Sequence, residues 1–156
     1  MTTIDERPST TAPPKGVVGR LFRAAVTLHT VVAFGQPVFA GVYLSGEIGG
    51  LDWHARGADV VFSLGLLQVA VAVAAWVRLG LRWPTAVSVL ILVAESGQYV
   101  AGLAGLLWVH LPLGVTIIAS LAVLSAALWV RPLPDRAATA DQAQAASRSR
   151  RNETHV

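Results

Sequence analysis

The chain has no cysteine among its 156 residues. That excludes disulfides, iron–sulfur ligation, thioether attachment of a prosthetic group and a thiolate nucleophile. Charge is nearly as scarce. Asp, Glu, Lys and Arg make up 13% of the residues, about half the roughly 25% of a soluble domain. Also missing are a glycine-rich phosphate loop, a His-Glu-x-x-His motif, a Ser/His/Asp triad pattern and an aromatic-basic surface for nucleic acid. Nucleotide-triphosphate chemistry, zinc proteolysis and nucleic-acid recognition therefore have no residues to carry them.

What is present is apolar: 54% of the chain is hydrophobic, concentrated in stretches at residues 21–44, 57–79, 83–105 and 108–130. Each meets the length of about 20 residues needed to cross a hydrocarbon core. Backbone groups in lipid must be satisfied within the segment, so each stretch reads as a helix. The expected fold is all-α, a four-transmembrane-helix antiparallel bundle over residues 20–131, with helices at about 21–44, 53–79, 83–105 and 108–130. Asp52 reads as the N-cap of the second helix. Pro84 and Pro112 read as first-turn prolines of the third and fourth, and Pro37 as a kink in the first. Residues 1–19, rich in Thr, Pro and charge, and residues 132–156, rich in Ala, Gln, Ser and Arg, read as disordered tails. A polar leader of about 20 residues and a long apolar run argue for a retained first helix over a cleaved signal peptide.

Of the 12 Lys and Arg, all but Arg56 lie in the N-terminal segment through Arg23, in the 78–82 hairpin, or from Arg131 onward. Basic residues collect on the cytoplasmic side of a membrane. The reading is a multi-pass protein of the cell membrane with both termini and the middle hairpin cytoplasmic, and with residues 45–56 and 106–109 outside. Trp53 and Trp108 then mark the outer interface, and Trp76, Trp83 and Trp129 the inner one. On that topology two further motifs carry little weight: Asn152-Glu153-Thr154 fits a glycosylation sequon on the wrong side, and Thr154-His155-Val156 fits a short C-terminal peptide ligand.

The chemistry-bearing residues are the polar ones inside the spans, where such groups are costly and face the bundle interior. Counting helical rises puts His29 and Gln68 in the inner half, Glu95 near the middle, Gln36 and Gln98 in the outer half, and His54 and His110 at the outer edge. On this count His29 lies more than half a membrane from the outer pair. His54 and His110 each open an even-numbered helix, so an up-and-down bundle sets them at one depth on diagonal helices. Gly57 and Ala58 follow His54, and Gly114 follows His110, at offsets that share the histidine's face; these small side chains leave room beside each imidazole for a flat macrocycle. Two imidazoles so placed suit the axial positions of a b-type haem. The alternative is that both are interfacial belt residues beside Trp53 and Trp108. Glu95 reads as a proton carrier, or as a neutral carboxyl hydrogen-bonded to Gln98, Gln68 or Ser96. His29 reads as a satisfied interior histidine.

With those residues in view, residues 25–130 resemble one four-helix half of the haem A synthase family. The resemblance rests on Trp53-His54-Ala55-Arg56-Gly57 opening the second helix, Gln98 with Gly102 in the third, and Val109-His110-Leu111 with Gly114 opening the fourth. Gln36 with Gly41 is a weaker counterpart in the first. Small single-bundle membrane proteins share the same two histidine motifs. The family resemblance implies that His54 and His110 are haem ligands and that Arg56 lies near the propionates. The chain departs from the family in having one such half instead of two, and in lacking the extracellular cysteines. It also carries Leu51 where the catalytic half has a carboxylate, with Asp52 out of register.

The expected function is binding of one haem b between the second and fourth helices, for electron transfer, haem sensing or haem handling. The bilayer, a membrane redox partner or a second copy are the expected partners, and nucleic acid is not. A rival of another class is a cofactor-free integral membrane accessory protein. A third reading is a small proton-linked carrier built on Glu95 and His29.

Overall fold

The computed structural model describes residues 15–131. These form four helices in sequence: α1 Lys15–Leu44, α2 Gly49–Leu79, α3 Arg82–Leu103 and α4 Leu107–Val130. All four are long and apolar enough to cross a membrane. Each packs along its chain neighbours, and α4 closes the ring against α1. The result is an antiparallel four-helix bundle with α2 and α4 on a diagonal, the architecture of a multi-pass membrane protein. Most large apolar side chains point outward, among them Leu28, Val31, Leu66, Leu90, Val93 and Val123. Such a surface is compatible with lipid and not with water.

The helix boundaries differ from the expected ones in several places. α1 begins at Lys15, so residues 15–19 are helical and not part of a disordered tail. The remaining tail residues, 1–14 and 132–156, lie outside the described residues, together with the sequon and the C-terminal motif. α2 begins at Gly49 with Ile48 as its N-cap, and no side chain caps it. Asp52 therefore sits inside the first turn, where its charge still faces the free N–H groups. α3 stops at Leu103; Ala104 and Gly105 turn the chain, with Gly105 at φ +68°. α4 begins at Leu107, which moves Pro112 into the second turn. Pro84 does lie in the first turn of α3, and is buried.

The core has two parts. Near the end that carries the chain termini it is apolar, with Phe22, Val26, Leu121, Leu124 and Leu128 fully or almost fully buried. A latch joins α1 to α4 at this end: Arg23 Nε donates to the Leu128 carbonyl at 2.8 Å, and the guanidinium lies over Trp129, whose indole N–H donates to Thr27 Oγ1 at 2.9 Å. A basic group on the last carbonyls of α4 also opposes that helix's negative end. From the middle of the bundle toward the opposite end, the core becomes polar.

Candidate functional site

His54 and His110 meet at the end of the bundle opposite the termini. Their ring centroids are 5.9 Å apart and their planes cross at 73°. His54 Nδ1 lies 3.2 Å from the Gln36 carbonyl and His110 Nδ1 lies 3.0 Å from the Gln98 carbonyl. A carbonyl oxygen only accepts, so Nδ1 carries the proton in each neutral ring and Nε2 keeps its lone pair. The same unit thus appears twice. A glutamine on one helix (α1, α3) offers its backbone oxygen to the histidine that opens the next (α2, α4).

The glycines of the two histidine motifs have a use other than the expected one. A Cβ at Gly57 would overlap the Gln36 amide, and one at Gly114 would come within 2.8 Å of Gln98 Nε2. The space beside each imidazole is filled by a glutamine amide, not left open for a macrocycle. Gly102 performs the same service for His110, whose Cε1 would stand 2.9 Å from an added Cβ. Arg56 stands over the Trp53 ring at 5.9 Å on the exposed face of α2, away from the two imidazoles.

Between the histidines and the bundle's middle lies a cavity of about 90 Å³, lined by Gln36, His54, Glu95, Gln98, Tyr99 and His110 among apolar neighbours. By liquid volume that is room for about three water molecules. Glu95 forms its floor, and its partner is not Gln98, Gln68 or Ser96. Its Oε1 lies 2.8 Å from His29 Nε2, with both residues buried at 4% and 0% exposure. The two atoms are in contact, but not as an aligned hydrogen bond. Among the described residues nothing donates to either Glu95 oxygen, nor to Gln36 Oε1 or Gln98 Oε1. Beyond His29 the polar chain continues away from the cavity. His29 Nδ1 meets Gln68 Oε1 at 2.9 Å, Gln68 Nε2 donates to Ser88 Oγ at 3.1 Å, and Ser88 donates to the Pro84 carbonyl. Gly65 admits the Glu95 carboxylate, since a Cβ there would overlap Oε2.

The expected distance between His29 and the outer pair needs correction. His54 is bonded to the carbonyl of Gln36, seven residues beyond His29 on the same helix. The axial separation is therefore roughly 10 Å, about a third of a hydrocarbon core. The expected polar residues form one column, with His29, Glu95 and Gln68 at its lower end, where Ser88 joins them, and Gln36, Gln98, His54 and His110 at its upper end.

Asp59, Tyr99 and Ser88 were not singled out from the sequence. Tyr99 donates to Asp59 Oδ1 at 2.8 Å on the exposed side of α2 and α3. Its ring, 6.0 Å from that of Phe62, separates the cavity from a lipid-facing groove that also holds Ser63 and Ser96. The signal was available for Asp59, an ionisable residue two turns inside an apolar helix, but not for its partner. Among the described residues no group of three or more His, Cys, Asp or Glu converges as metal ligands. No family model, curated protein or solved structure matches the chain.

Proposed function

We propose that this multi-pass membrane protein binds one b-type haem with His54 and His110 as axial ligands, for electron transfer or haem handling. The observation that carries the proposal is the histidine pair itself. Metal–imidazole bonds of about 2.0–2.1 Å would let two imidazoles roughly 6 Å apart share one metal, and the two rings here are 5.9 Å apart. Both Nδ1 atoms are held by backbone carbonyls, the outer contact that fixes tautomer and orientation in metal-ligating histidines. Two protein ligands suffice where a porphyrin supplies the other four nitrogens, whereas a protein-bound zinc site calls for three or four.

The donor set fits haem, but the cavity is smaller than a porphyrin. The Gln36 and Gln98 amides occupy the flanking space, so loading requires them to swing aside. When bound, the haem would supply one-electron redox chemistry; the protein's own residues orient the imidazoles. In line with the positive-inside distribution of Arg and Lys, we assign the histidine end to the outer face of the cell membrane and the termini to the cytoplasm.

The test is the optical spectrum of protein purified from haem-supplemented cells. A Soret band and a dithionite-reduced α band are expected, with His54→Ala and His110→Ala each converting or abolishing them. Colourless wild-type protein, or two variants with wild-type spectra, overturns the reading.

One observation favours the cofactor-free accessory reading instead. Asp59 is exposed on the lipid side of α2, bound to Tyr99. A carboxylate at membrane depth is costly against lipid and calls for a polar partner helix. On that reading the His54/His110 double variant folds normally and still co-purifies with a membrane partner, while Asp59→Leu loses it.

A further inference from the structure

Arg56 and Asp59 are two charged residues exposed on one face of α2, and the histidine site uses neither. We infer that this face is the contact between two copies of the chain, with Arg56 of each copy paired to Asp59 of the other. The inference is independent of the haem reading.

Asp59 lies six residues past Trp53, roughly 9 Å further along the helix. It borders a groove of about 460 Å³ between α2 and α3, shared with Phe62, Ser63, Ser96, Tyr99 and Val100. The hydroxyls of this groove are already engaged. Ser63 donates to the Asp59 carbonyl at 2.7 Å and Ser96 to the Leu92 carbonyl at 2.9 Å, each within its own helix. Tyr99 donates to Asp59 Oδ1. The remaining carboxylate oxygen, Oδ2, has no donor among the described residues. A carboxylate facing lipid is costly unless a partner of opposite charge covers it.

One cation of the chain is placed to do so. Of the described Lys and Arg residues only Arg56 lies at the histidine end; the others lie in the first turns of α1, around the α2–α3 turn, or at the end of α4. Arg56 precedes Asp59 by three residues and shares its face. Within one chain the two make no ion pair, and the guanidinium lies over Trp53 instead. Two copies inserted the same way are related by a two-fold axis along the membrane normal, so equal depths face each other and every contact occurs twice. Arg56 and Asp59 differ in depth by roughly 4.5 Å, a step that an arginine side chain spans. Two reciprocal pairs then take both charges of each copy out of lipid, and the small side chains of Ser63 and Ser96 let the helices approach. A lipid tail brings no cation, and a foreign helix would need one at this depth. A second copy always carries it.

The experiment uses the full chain, which has no cysteine of its own. In membranes, a short bis-maleimide should link Ser63→Cys protein into dimers, and should not link Val31→Cys protein, altered on the exposed face of α1. Asp59→Asn and Arg56→Gln keep the shape and drop one charge. Each should raise the dissociation constant of the purified dimer by about tenfold or more, as loss of a paired interfacial charge does, read by sedimentation in detergent. Arg56→Asp and Asp59→Arg should each be monomeric alone and form a mixed dimer when co-expressed, because one chain then presents two acids and the other two bases. A wild type that stays monomeric in the bilayer, or a dimer indifferent to both neutral variants, overturns the inference. Cross-linking of Ser63→Cys to another protein alone overturns it as well and assigns the face to a partner helix. None of these measurements requires haem, so a failure here leaves the spectral test of the histidine pair untouched.

Discussion

At the scale of single residues, the site depends on side chains that are absent as much as on those present. Gly102 lies against the His110 ring, with 2.9 Å to the nearest ring carbon from a Cβ placed there. Gly102→Ala should push the imidazole off the Gln98 carbonyl. The expected result is a stability loss of about 1–3 kcal/mol, the usual cost of overpacking, measured by denaturation in detergent, and, on the proposed haem reading, a changed optical spectrum. Gln68 supplies a complementary case. It is 1% exposed and bridges His29 to Ser88. Gln68→Leu removes both contacts and leaves a buried imidazole N–H without an acceptor, at a cost of about 1–3 kcal/mol. A denaturation midpoint equal to wild type would show that water replaces the amide.

At the scale of helices, the α1–α2 hairpin is the tightest junction. Gly50 faces the backbone of the preceding helix, and a Cβ there would stand 2.5 Å from Tyr43 N and 2.9 Å from Phe39 O. Backbone atoms cannot swing aside as a long side chain can. Gly50→Val should therefore part α1 from α2, which also moves Gln36 away from His54; loss of folded protein on size exclusion is the expected outcome. The α1–α4 latch is milder. Arg23→Ala removes a charged donor from the Leu128 carbonyl and uncovers Trp129, for an expected loss of roughly 1.5–3 kcal/mol before solvent screening at this half-exposed position. On the proposed haem reading the optical spectrum should not change, because the latch lies at the opposite end from the histidines.

At the scale of the whole molecule, the absence of cysteine makes topology directly measurable. Ser45→Cys, in the turn after α1, should react in intact cells with a membrane-impermeant maleimide. Arg82→Cys, at the start of α3, should react only after lysis. The reverse pattern would place the histidine end in the cytoplasm.

Four spans, their helical state, their antiparallel order and the pairing of His54 with His110 on diagonal helices were all legible in the chain itself. Hydropathy adds up locally and backbone satisfaction in lipid leaves one choice of secondary structure, so these features need no knowledge of neighbours. Tertiary structure alone decided that Glu95 meets His29, that glutamine amides fill the space Gly57 and Gly114 leave open, and that Tyr99 reaches Asp59. These depend on how far each helix is turned about its own axis. A helix apolar on nearly every face carries little record of that angle, and the angle is settled only when ridges, glycines and buried polar groups from all four helices pack against one another.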